Sequence, residues 1–428
     1  MAAPAIAKLA IILVTILAHH LHETSAAANV VKTEVFRSPE IVMEPGLVSN
    51  KNYYNIEFPR GHIGIKGLNA ELVDERENPV ALHEIYLHHW VIDRYYARGG
   101  DGGDLSIVRN SGICGNGLPQ YFGVGAETRR TATDIPHPYG IQVGDPATIP
   151  AGYVEGWALN VHAIDTRGAE DKMGCTECRC DLYGGGGGDG GGLHCCPDGS
   201  RCRLQQGFHG GKRSIYLRYS VKYVEWDSSS ILPLSIYILD VTDHVSTSTA
   251  THHCAIEYGV ERCGEKDGCV DSKSVSFSFP SGGDVIYGVG HQHAGGLGTT
   301  LYGQGGRTIC SSKPTYGEGS EAGNEAGFIV GMSTCYPSPA RPVRISAGET
   351  LTLVSNYSSV ERHTGVMALF YLLLAESSPK PLPTLVSKFT TVPKFVWPIS
   401  LLGVVLVIVA VVALKGKNGK SEGYEAMI

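Results

Sequence analysis

Three features of the sequence predict an all-β protein of antiparallel β-sandwich domains followed by one C-terminal transmembrane helix. Short β-branched and aromatic runs recur between Gly, Pro, Asp and Asn turns. Glycine is abundant, 55 of 428 residues, while only 18% of residues are charged, a balance that disfavours long helices and coiled coils. A twenty-residue run without charge, 395–414, closes the chain and is followed by Lys415 and Lys417. Lys and Arg number 35 against 42 Asp and Glu, a net charge of −7, which provides no electrostatic footprint for nucleic acid.

The elements follow in order. Residues 1–28 carry Lys8, the apolar run Leu9–Ala18 and the small residues Ser25–Ala28, the order of a secretory signal peptide rather than an N-terminal anchor. Strands are then expected at Val31–Phe36, Leu68–Val73, Glu84–Tyr95, Val154–Ile164, Ile215–Val224 and Leu234–Val241. A second set falls at Val275–Phe279, Val285–Gly290, Phe328–Gly331, Thr350–Tyr357 and Met367–Leu373. The stretch between signal and apolar run exceeds one comfortable core, so two domains are expected. At about 1.5 Å rise per residue the run 395–414 matches a bilayer core, and the lysines after it place the tail 415–428 in the cytoplasm. The expected topology is therefore single-pass type I, at the plasma membrane or in the secretory pathway, with the body extracellular or lumenal. A GPI signal competes less well because of the basic tail.

Twelve cysteines, Cys114, Cys175, Cys178, Cys180, Cys195, Cys196, Cys202, Cys254, Cys263, Cys269, Cys310 and Cys335, all fall in this exported body. An even number in an oxidising compartment implies up to six disulfides of undetermined pairing. Six of them crowd into 175–202 around a glycine run, the pattern of a disulfide-tied insertion; a metal cluster there is the sharper alternative. The sequon at Asn356 is a candidate glycan site in a secreted chain.

The histidines point to chemistry. His88 and His89 sit inside one apolar strand, His162 inside another, and His291 and His293 end a third, with Met367 opening a fourth. Residues i and i+2 of a strand share a face, so His291 and His293 can reach one ion. Adjacent His88 and His89 face opposite ways unless a bulge brings them together. Each histidine singly is also a plausible polar residue at a turn or edge. As a set, imidazoles with a thioether and no carboxylate favour copper, with zinc on three histidines and water as the alternative.

In this order and context the motifs resemble those of the copper type II, ascorbate-dependent monooxygenases of the peptidylglycine and dopamine hydroxylating type. The correspondence runs through Leu87-His88-His89-Trp90, Leu159-Asn160-Val161-His162, Gly290-His291-Gln292-His293 and Gly365-Val366-Met367. The chain as a whole more closely resembles the plant stress up-regulated Nod 19 family of exported proteins, including the Cys-rich stretch.

The first resemblance implies two jelly-roll-like domains, here 31–243, interrupted by the 175–202 insertion, and 244–388. It implies one copper on His88, His89 and His162, a second, catalytic copper on His291, His293 and Met367, and ascorbate as reductant. Tyr371 keeps a tyrosine that would contact substrate, whereas Val289 and Leu369 replace a carboxylate-gripping arginine and an assisting asparagine. Loss of that bidentate contact argues against a peptide ending in glycine. The expected function is thus a membrane-anchored, monooxygenase-like extracellular protein acting on a small molecule or peptide. The alternatives are a non-catalytic copper-binding or cell-surface stress-response protein, or adhesion through glycine-rich loops.

Overall fold

The computed structural model describes residues 30–98, 105–114, 117–184, 191–246, 251–264 and 268–377. Eleven strands build a first sandwich. One sheet takes β1 (Lys32–Arg37), β2 (Ile41–Met43), β4 (Ile63–Asp74), β8 (Tyr139–Val143), β10 (Arg213–Glu225) and β11 (Leu232–Pro233). The facing sheet takes β3 (Val48–Tyr54), β5 (Ile85–Arg98), β6 (Leu105–Val108), β7 (Phe122–Val124) and β9 (Tyr153–Asp165). In β10 the residues Ile215, Leu217, Tyr219, Val221 and Tyr223 are buried at every second position, as a strand with one face on a core requires.

A second sandwich follows. Its larger sheet joins β12 (Ser235–Asp240), β15 (Glu257–Val260), β17 (Gly283–Gln292), β22 (Thr334–Cys335), β23 (Arg344–Ile345) and β25 (His363–Glu376). Its smaller sheet runs β16 (Val270–Ser278), β24 (Thr350–Ser358), β18 (Gly296–Tyr302) and β19 (Thr308–Ser312). Two hairpins, β13 (His244–Val245) with β14 (His252–His253) and β20 (Pro314–Tyr316) with β21 (Ile329–Met332), complete the described strands.

The sheet carrying β25 is buried on both faces. Ala368, Phe370, Leu372 and Leu374 fill the interior of the second sandwich, while Tyr371 and Leu373 join a core that also holds Trp90, Phe122 and Leu159 of the first. That double burial explains the nearly unbroken apolar run Val366–Ala375, which a half-exposed antiparallel strand would not need. The two sandwiches therefore share a packed interface, and the histidines lie in it.

All twelve cysteines are paired: Cys114–Cys254, Cys175–Cys202, Cys178–Cys196, Cys180–Cys195, Cys263–Cys269 and Cys310–Cys335. Three of these tie the 175–202 insertion, which is entered through a short α-helix, Lys172–Thr176, capped by Asp171 accepting from the Gly174 amide, and continues into a 3-10 turn, Cys180–Leu182.

The membrane expectation is corrected here. Among the described residues no helix is long and apolar enough to cross a membrane; the helical segments run three to five residues, against the roughly 20 a span requires. The expected transmembrane helix, bilayer partner and single-pass type I topology thus find no support among the described residues. The run 395–414, the tail 415–428 and the leader 1–28 lie outside the described residues.

Candidate metal centre

β5 and β9 pair antiparallel with His89 opposite His162, but the register shifts between Leu87 and His89. His88 is the extra residue of that bulge, and the bulge turns two adjacent side chains toward the same neighbour. The His88 ring stacks on His162 with centroids 4.5 Å apart, and His89 meets His162 at 5.1 Å. Ligand-type atoms of all three lie within 4.8 Å of one another.

The second sandwich brings two more rings. His291 and His293, at the end of β17, stand 5.2 Å apart, and the His293 ring lies 4.8 Å from His88, perpendicular to it. The two ligand groups expected from sequence thus meet at one place. Met367 and Tyr371 border the same region: a cavity of about 200 Å³ is lined by His89, His291, Val289, Met367, Leu369 and Tyr371. The Tyr371 hydroxyl is already used, donating to the Tyr121 carbonyl at 2.7 Å. Asn356 sits half-buried on β24, with strands paired on both sides.

Surrounding groups orient the rings. His89 Nε2 donates to Asn160 Oδ1 at 2.6 Å, and the Asn160 amide is held in turn by Asn50, Lys51 and Asn52. The His293 amide donates to the Tyr357 hydroxyl at 2.8 Å, which itself donates to the Met367 carbonyl at 2.6 Å. The Gly365 backbone beside the His293 ring opposes the fall in its pKa. His291 Nδ1 pairs at 2.5 Å with Glu127 Oε1, whose other oxygen accepts from the Gly125 amide.

Four buried ring nitrogens have no protein partner: His88 Nδ1, both nitrogens of His162, and His293 Nε2. Burial, reinforced by the neighbouring imidazoles, holds His88, His162 and His293 well below the usual histidine range. Burial takes His89 down to about 4 against the opposing Asn160 contact. These four rings are therefore neutral at ordinary pH, the state in which imidazole ligates a metal. Burial also opposes charge on His291, but the Glu127 carboxylate outweighs it and the net shift is upward. A cluster of neutral, convergent imidazoles with orphaned nitrogens fits a transition-metal ion.

A second group, Cys180, His194 and Cys195, also gathers within 4.8 Å. Its two sulfurs are bonded to each other, so it offers thiolates only after reduction. Glu127 and Tyr357 had no signal in the sequence. Asn160 did have one, standing two residues before His162 on the same face of a strand.

Fold and site together define an all-β, disulfide-rich protein of two packed sandwiches with a histidine cluster at their junction. The chain belongs to the family described as Stress up-regulated Nod 19, which it matches over residues 29–377. No curated protein matches it. Among solved structures it is similar to PBCV-1 Vp54, as fitted into a reconstruction of the virophage Sputnik, at 8% identity over 81% of this chain and 93% of that one, with a TM-score of 0.26. It is also similar to infectious bursal disease virus Gt strain, at 11% identity over 81% and 71%, TM-score 0.17. The ANX1 ectodomain from Arabidopsis thaliana shows 6% identity over 78% and 96%, TM-score 0.15. Likenesses this distant carry no argument about fold or function.

The membrane-anchored monooxygenase reading is corrected by these findings. No membrane-crossing helix occurs among the described residues. The groups of ligand atoms that gather there are His88/His89/His162 and Cys180/His194/Cys195. The His293 ring abuts the first group, and His291 and Met367 line the neighbouring cavity.

Proposed function

We propose that this chain is an exported copper-binding protein that holds its metal rather than turning over a substrate. The observation that carries the reading is the set of unpartnered ring nitrogens on His88, His162 and His293, at residues 1%, 0% and 4% exposed. A buried polar atom without a partner costs roughly 1–3 kcal/mol, and ligation of a cation is the means by which a neutral imidazole recovers it. Copper is favoured over zinc because the ligands are all neutral imidazoles, with the Met367 thioether nearby, and because copper heads the divalent affinity order. The bound ion would supply a fixed positive charge and a reducible centre. His89, steadied by Asn160, would orient toward it while the burial of His88, His162 and His293 keeps bulk water away. Catalytic metals keep an open, accessible position, which such burial disfavours. Export is supported by six disulfides with no free cysteine among the described residues.

The test is metal analysis of the full chain after chelation and reloading with copper or zinc, beside the His162→Ala variant. Copper is expected to survive desalting in the wild type and to be lost in the variant. Zinc retained to the exclusion of copper would overturn the copper assignment, and retention of neither would overturn metal binding.

A further inference from the structure

We propose that His293 belongs to the same site as His88, His89 and His162, so that one ion is held by imidazoles from both sandwiches and fastens them together. The inference rests on the metal-binding reading above and adds to it the ligand set and the structural consequence.

Three observations converge. First, the separations fit one ion: rings bound through nitrogens at about 2.0–2.1 Å around a tetrahedral centre have centroids about 5 Å apart. The contacts His88–His162, His88–His293, His89–His162 and His88–His89 measure 4.5, 4.8, 5.1 and 5.5 Å, so ligand atoms of His88, His89 and His162 gather within 4.8 Å and His293 joins them through its contact with His88. Second, His293 is prepared as a ligand: its backbone amide is fixed by the Tyr357 hydroxyl, while Nε2 of its ring is buried with no partner in the protein. A residue held in place with a ring nitrogen left free is the usual arrangement around ligating histidines. Third, its neighbour in the motif is differently used. His291 Nδ1 is held by the Glu127 carboxylate of the first sandwich, and its ring lines the neighbouring cavity and touches the His293 ring. The His-x-His pair is thus tied to the first sandwich at both rings, through Glu127 and through His88.

Full-length, metal-depleted protein would be titrated with Cu²⁺ against a chromophoric competitor, with thermal midpoints taken with and without the ion. His293→Phe, close in shape and unable to ligate, is expected to weaken copper binding at least about 10-fold and to shrink the copper-induced rise in midpoint. His291→Phe should change affinity much less. Pulsed electron paramagnetic resonance on the wild type, which needs no variant to fold, should count four imidazole nitrogens on the copper. Unchanged affinity in His293→Phe alongside copper loss in His162→Phe, or three imidazoles in the wild type, would overturn the bridging site while leaving a three-histidine metal site intact. Absence of copper from the wild type would overturn both.

Discussion

His162 is fully buried, and neither of its ring nitrogens has a partner in the protein. Without metal such a residue is a liability, because desolvating an unpaired polar group costs roughly 1–3 kcal/mol. Replacing it by leucine removes that cost at similar volume. His162→Leu should therefore stabilise the metal-free protein by about 1–2 kcal/mol in chemical denaturation and abolish its stabilisation by copper. A variant that is less stable both with and without copper would show that the histidine has a packing role instead. Tyr371 offers the contrasting case. Its hydroxyl donates to the Tyr121 carbonyl across the junction of the sandwiches, so Tyr371→Phe leaves that acceptor unpaired. A loss of about 1–2 kcal/mol with unchanged copper affinity is expected, measured by the same denaturation and competition experiments.

At the scale of elements, the bulge in β5 converts an alternating strand into a two-ligand device. Sequence alone could state the condition, that adjacent His88 and His89 need a bulge to act together, but the register that creates it depends on β9 lying alongside. The insertion 175–202 shows a second dependence. Glu177, just after the short helix, accepts from His363 Nδ1 at 2.6 Å and from the Thr364 amide, next to Gly365, whose backbone lies beside the His293 ring. The insertion thus braces the segment beside a candidate ligand. The Glu177 hydrogen bond raises the His363 pKa above 6.5 despite partial burial. A raised histidine contributes stability that is fully present below its unfolded value and is lost as pH rises through the folded one. The stability advantage of wild type over His363→Gln should accordingly be largest in mild acid and vanish in alkaline buffer. A difference that stayed constant across the thermal midpoints would refute the pairing as its source.

For the whole molecule, the junction between the sandwiches holds core, site and crosslink together. Tyr287 of β17 donates to the Ala132 carbonyl, and Cys114 is bonded to Cys254, 140 residues away. A closure that long restrains the unfolded chain strongly, so the Cys114→Ser, Cys254→Ser double variant should lose roughly 2–4 kcal/mol. Because the histidines are positioned by sheet register and core packing, copper affinity of the folded fraction should persist. Affinity falling in step with stability would mean that the disulfide itself aligns the two halves.

Much of this was legible in local pattern. The β class followed from turn punctuation and β-branched runs, the disulfide-tied insertion from six crowded cysteines, and the ligand-type residues from histidines placed within apolar strands. The polar strand β3, VSNKNYY, and the glycine-rich β18, GLGTTLY, carry little strand signal because their strand character comes from pairing with β9 and β24 rather than from their own side chains. The sequence by itself determined which residues had the chemistry to bind a metal, since donor type and neutral imidazole character are properties of the side chain. Only the tertiary structure decided that His88, His89, His162 and His293 converge across two sandwiches while Glu127 holds His291, because contacts between residues so far apart in the chain are set by how sheets pair and pack.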